Sequence, residues 1–169
     1  MSQVRLVAIR DSELSIDEVR AAVADPAAGG IVLFAGAVRD NDTAATPPES
    51  PTASPDSPEE ASSDLLGGRR MAKGVSALSY SAHPTALEEL RLISEEIVGK
   101  YPDVIGLAAV HRIGDLEIGD LAVVVAVSCG HRAEAFAACH ALIDELKASV
   151  PIWKHQRFTD GSAEWVGSA

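Results

Sequence analysis

The sequence predicts an α+β fold: a largely antiparallel sheet with three main helices. Two observations carry this. Hydrophobic periodicity alternates in the order strand, helix, strand, strand, helix, strand, strand, helix, strand, and the neighbouring strands are joined by short turns. The 169 residues are 47% apolar but only 4% aromatic, so one domain of ordinary size can bury a core made mostly of Val, Leu, Ile and Ala.

Val4 to Ile9 reads as the first strand. Ser15-Ile-Asp-Glu18 has the form of a capping box, with Ser15 accepting from the Glu18 amide while Glu18 reaches back. The helix it opens should run to about Ala24, before Pro26. Gly30 to Val38 reads as a buried strand that delivers Arg39 at its end. Val75 to Ser81 is the next strand. Pro84 then starts a helix with Leu87, Leu90, Ile93 and Ile97 at helical spacing, ending near Gly99. Val104 to Arg112 and Leu121 to Val127 are strands joined by a hairpin-like Ile-Gly-Asp-Leu-Glu-Ile-Gly-Asp connection. Ala133 to Ala148 is a helix whose Phe136, Cys139, Ile143 and Leu146 stripe should face the core, and Pro151 stops it. Ile152 to Phe158 forms a final strand, followed by an Asp160-Gly161 turn and a short segment around Trp165.

One segment departs from this pattern. The run Thr43 to Pro58 holds five of the nine prolines, and the sequence stays acidic and Ser-rich to Arg70. Such composition buries too little apolar surface to offset its ordering entropy, so residues 43–70 are expected to form a disordered insertion in an otherwise single domain, 1–169.

The formal net charge of −11 argues against a nucleic-acid partner, which requires a basic footprint, and against an anionic membrane surface. The longest apolar run, Leu121 to Val127, falls far short of the roughly 18 residues a membrane span needs. The N-terminus lacks a secretory pattern, and Cys129 and Cys139 lack metal-type spacing. A cytoplasmic protein with reduced thiols is expected. The five histidines show no ligand spacing, so no metal is expected, and His111 and His140 are read as core or interface residues. No phosphate-loop or dinucleotide fingerprint occurs, since Gly29-Gly30 precedes a strand rather than following one.

Chemistry concentrates at the two ends of the third helix. The strand ending at Ser128-Cys129-Gly130 runs into His131-Arg132, where a histidine, an arginine and unpaired helix-start amides favour an anion. The alternative is an ordinary solvated helix start. At the other end, Lys147-Ala-Ser-Val-Pro-Ile-Trp-Lys154 holds two of the chain's four lysines. Lysine is readily tuned into a base or nucleophile, although Lys147 also complements the helix dipole where it stands. Residues 131 and 147 are separated by 16 positions, roughly 24 Å of helix at 1.5 Å per residue. One small ligand cannot be gripped at both ends in one subunit. Either the sites are unrelated, or a symmetric dimer joins the helix start of one chain to the helix end of the other; the dimer is the reading adopted.

Five segments, in order, resemble the catalytic (large) subunit of molybdopterin synthase. They are Gly36-Ala-Val-Arg39-Asp-Asn, Tyr80-Ser-Ala-His-Pro84, Val110-His-Arg-Ile-Gly-Asp-Leu-Glu-Ile-Gly-Asp120, Ser128-Cys-Gly-His-Arg-Ala-Glu-Ala-Phe136 and Asp144-Glu-Leu-Lys-Ala-Ser-Val-Pro-Ile-Trp-Lys-His155. The resemblance implies a hammerhead-type α+β fold and a sulfur transferase of molybdenum cofactor biosynthesis. Such an enzyme converts cyclic pyranopterin monophosphate to the molybdopterin dithiolene and needs no cofactor of its own. It further implies a ubiquitin-like small subunit whose C-terminal Gly-Gly thiocarboxylate donates sulfur, and a homodimer of large subunits within a heterotetramer. Carried over by motif, Lys147 and Lys154 would be catalytic. Ala37, Val38 and Arg39 would bind substrate, with His131 and Arg132 from the neighbouring subunit, and Lys154, His155 and Gln156 would line the pterin pocket. A non-catalytic docking module for a ubiquitin-like sulfur carrier is the competing reading. The chain departs from the family where many relatives carry Tyr-Glu-Ala-Tyr and it has Tyr80-Ser81-Ala82-His83, and in the long acidic segment after Arg39.

Overall fold

The computed structural model describes residues 2–42 and 73–166; the proposed disordered insertion at 43–70 lies outside the described residues. Along the chain the elements are β1 (Val4–Arg10), α1 (Ile16–Ala22), β2 (Gly30–Ala37), β3 (Asn41–Asp42), β4 (Lys73–Ala82), α2 (Ala86–Lys100), β5 (Val104–Arg112), β6 (Gly114–Leu116), β7 (Leu121–Cys129), α3 (Arg132–Ser149), β8 (Ile152–Phe158) and β9 (Ala163–Val166). The α+β class and the three helices agree with the sequence reading.

The strands form two sheets rather than one. The first has the order β1-β5-β7-β2, antiparallel except for the β1–β5 pair. Its central strands are buried on both faces. On one face Leu107, Ala109, Val125 and Val127 pack against Leu90, Ile93 and Ile97 of α2 and Ala135, Ala138, Cys139, Leu142 and Leu146 of α3. On the other face Ala108, Val110, Val124 and Ala126 pack under Leu14 and against Val19 and Val23 at α1. Burying a Leu or Val side chain in such a core contributes about 1.5–3 kcal/mol. Gly106 on β5 eases the approach of α1 to this face. A Cβ on it would stand 3.0 Å from the Ser128 hydroxyl and 3.2 Å from the Val23 backbone, closing the gap through which α1 approaches the sheet.

In the second sheet β4 and β8 pair antiparallel, β9 adds to β8, and β3 and β6 pair with β4. β6 lies in the first half of the expected hairpin connection. Instead of a simple turn between β5 and β7, Gly114–Leu116 crosses to β4 and ties the two sheets together. Val38, Leu78, Leu116, Ala122 and Phe158 form a small separate core at that junction.

Several local expectations change. Ser15 Oγ accepts from the Glu18 amide at 3.2 Å, as a cap should, but the Glu18 carboxylate does not reach back. It pairs bidentately with Arg10 at 2.6 and 2.8 Å, and this guanidinium holds the Glu18 carboxyl below the usual carboxylate range. β2 is half-buried rather than buried, with Ile31 and Ala37 exposed. Phe136 does not belong to the core stripe of α3 and is 63% exposed. The stripe uses Ala135 and Ala138 where the helix comes close to β2 and β7, and a Phe there would hold the helix off. His111 is buried, as expected of a core histidine, whereas His140 lies outside the core of the single chain, on α3 facing Asp144 at 3.2 Å.

Candidate functional site

At the junction of the sheets a pocket is lined by Ala37, Val38 and Arg39 from the end of β2, Leu78 and Tyr80 from β4, and Lys154 and Gln156 from β8. The strand register explains the selection. Tyr80 stands opposite Lys154, and Leu78 opposite Gln156, so these four side chains share one face of the second sheet. β2 then brings its last residues in from the first sheet. Among the described residues the lining holds two cations and no acid, within a chain of formal net charge −11. This suits a small anion with an adjoining polar group. Arg39 brings a guanidinium fork, Lys154 a compact point charge, and the buried Gln156 an amide with both donor and acceptor. The pocket is small and open to solvent on one side.

Within one chain the remaining sequence-derived candidates lie elsewhere. His155 points to the opposite face of β8, where its ring packs on Trp165 with centroids 4.5 Å apart. Lys147 is exposed in the last turn of α3. His131 is the residue preceding the same helix, in extended conformation and without a side-chain cap bond; both it and Arg132 are exposed. The 18 residues of α3 separate these ends by roughly 27 Å. A single chain therefore gathers Ala37, Val38, Arg39, Lys154 and Gln156, and leaves Lys147, His131, Arg132 and His155 outside the lining.

Tyr80 and Leu78 were not among the sequence candidates. The signal that finds them is period-two alternation along β4 once its pairing with β8 is known. Behind Tyr80 sits His111, edge-on with ring centroids 5.3 Å apart. Its Nδ1 donates to the Arg112 carbonyl at 2.8 Å, and burial pushes its pKa down to about 4, so the imidazole is neutral at pH 7. Cys129 and Cys139 are free and buried. Burial raises both thiols, Cys139 to about 11, which removes either as a thiolate nucleophile near neutral pH. No cluster of metal-binding side chains occurs among the described residues, and no described helix is long and apolar enough to cross a membrane.

The model of the MoaE protein family matches residues 9–50 and 66–149. The chain belongs to the MoaE family. The match skips residues 51–65, inside the Pro-rich acidic segment. The molybdopterin synthase catalytic subunit of Nostoc sp. (strain PCC 7120) is 36% identical over 94% of this chain and 80% of its own length. Catalytic subunit 1 from Mycobacterium tuberculosis is 39% identical over 94% of this chain and 88% of its own length. Among solved structures, molybdopterin synthase from Staphylococcus aureus superposes with a TM-score of 0.72 at 30% identity, covering 99% of this chain and 98% of that one. The chain is thus an enzyme of the molybdopterin synthase catalytic subunit family, acting in molybdenum cofactor biosynthesis.

Proposed function

We propose that this MoaE-family chain converts cyclic pyranopterin monophosphate to molybdopterin, taking sulfur from the C-terminal thiocarboxylate of a ubiquitin-like small subunit. The observation that carries the reading is that Arg39, Lys154 and Gln156, from two different sheets, line one pocket. A phosphate and a thiocarboxylate repel each other, so a site that brings them together needs several fixed cations. Arg39 would hold the phosphate, and Lys154 and Gln156 the pterin. Lys147 would act nearest the thiocarboxylate, as acid or base at the pterin carbons.

The pocket of one chain is small and open for two such ligands, and α3 is too long for His131 and Arg132 to reach the lysines beside its other end. Both facts support a homodimer in which His131 and Arg132 of one copy complete the site of the other, within an assembly that also holds the small subunits. We read the chain as one such domain, working in the cytoplasm. The test combines the pure protein with a thiocarboxylated small subunit and the pyranopterin, and assays dithiolene. Lys147→Ala should abolish product while small-subunit binding persists; a normal rate in that variant contradicts the role given to Lys147. Small-subunit binding by the wild type without any dithiolene would instead mark a docking module.

A further inference from the structure

We propose that Asp120, with Arg112, is a positioning residue for Arg39, which it places through the backbone of Val38. The inference rests on the reading of Arg39 as the group that holds the substrate anion. The β2 ladder ends where Ala37 pairs with Leu121, after a register irregularity between Gly36 and Ala37. Beyond that point Val38 is clamped by a turn: its amide donates to the Asp120 carbonyl at 2.9 Å, and its carbonyl accepts from the Gly119 amide at 2.9 Å. The turn is closed by the Asp120 amide donating to the Glu117 carbonyl at 3.0 Å, with Gly119 at φ +94°.

One carboxylate oxygen secures this turn. Asp120 Oδ2 accepts from the Glu117 amide at 3.0 Å and from Arg112 Nη1 at 3.2 Å. Arg112 is itself fixed at the end of β5, opposite Arg10 of β1, and its carbonyl receives the His111 bond. The Arg112 and Asp120 side chains are only 15% and 29% exposed, so solvent screens this pair less than the surface pairs on α2. The Val38 side chain is buried against Leu78, Leu116 and Phe158, so the corner cannot swing as a free loop.

The path is continuous: Arg112 holds Asp120, Asp120 holds the turn, the turn holds Val38, and Arg39 follows directly. Lys154 stands on a different sheet. The spacing of the two cations is therefore set by where this turn sits, and a shift of about 1 Å in such a group can change rates or affinity strongly.

Two measurements test this. In the first, KM and kcat for the pyranopterin are compared in wild type, Asp120→Asn, Arg39→Ala and the double variant, each assembled with the thiocarboxylated small subunit. Asp120→Asn should raise KM roughly five- to tenfold with kcat within about twofold, and should add nothing in the Arg39→Ala background. Additive losses, or a fall in kcat alone, would overturn the assignment. In the second, amide hydrogen exchange of the free protein is compared between wild type and Asp120→Asn. Val38 and Gly119 should exchange at least about tenfold faster in the variant, while Val124 and Val125 keep their protection. Unchanged exchange at Val38 would overturn the brace. A wild-type enzyme that makes no dithiolene would sink the functional reading instead, and the exchange result would still decide the brace.

Discussion

In the first sheet β5 and β7 present Val, Leu and Ala to a helical layer on each face, whereas β8 in the second sheet carries Lys154 and Gln156 on one face and Trp153, His155 and Arg157 on the other. A strand dry on both sides has no place for an unpaired charge, because desolvation there costs several kcal/mol per ion. A strand with one face on a small core and one toward solvent can hold a lysine at the boundary. The dry framework and the pocket residues of β8 thus lie on different sheets, and β6 and the Val38 corner are where the two are stitched together.

The widest way to break this division is from the framework side. Leu107→Ala, at a fully buried position of β5, should cost about 2–5 kcal/mol in chemical denaturation. At temperatures where the variant stays folded, its KM should remain that of the wild type. A raised KM would show that the first sheet does more than support.

His111 lies at the seam and sharpens the comparison through pH. Its pKa in the fold is about 4, below the ordinary 6.5, so the unfolded chain binds the proton first as pH falls. Its contribution is complete above pH 6.5 and is lost as pH falls through that window toward 4, by about 3 kcal/mol at most. His111→Gln should flatten the loss of stability between pH 6.5 and 4.5; an unchanged slope would place the pH sensitivity elsewhere.

From the chemical side, Lys154→Ala should lower dithiolene formation about a hundredfold with little change in melting temperature. Loss of folding in that variant would mean that Lys154 is structural. The smallest expected effect is at the edge of the framework. Ser15→Ala removes the α1 cap and should cost about 1 kcal/mol without touching turnover.

Much of this architecture is legible in the amino-acid order, and the exceptions have physical causes. The bounds of β5 follow from its apolar run, and those of β8 from Pro151 before it and the Asp160-Gly161 turn after it. Phe136 falls outside the core because side-chain size is a poor guide where a helix packs close on a sheet, and alanine fills that space. The division into two sheets could not be read, because periodicity reports which face of a strand is dry and not which strand it pairs with. For the same reason β6 reads as a turn, and Tyr80 and Leu78 do not announce themselves as pocket residues until β4 is laid against β8. Arg39, Lys154 and Gln156 were accessible from motif, whereas the hold of Asp120 on Val38 exists only in three dimensions.

The central claim is that one functional site draws cations from two copies of the chain, and subunit mixing tests it most directly. His131→Ala and Lys147→Ala proteins, each inactive alone, are unfolded together, refolded and assayed with the thiocarboxylated small subunit. Random pairing gives mixed dimers half of the time, each with one intact site of two, so about a quarter of wild-type dithiolene formation should return. If the mixture stays as inactive as its parts, while mixed dimers are shown to form, the shared site is wrong.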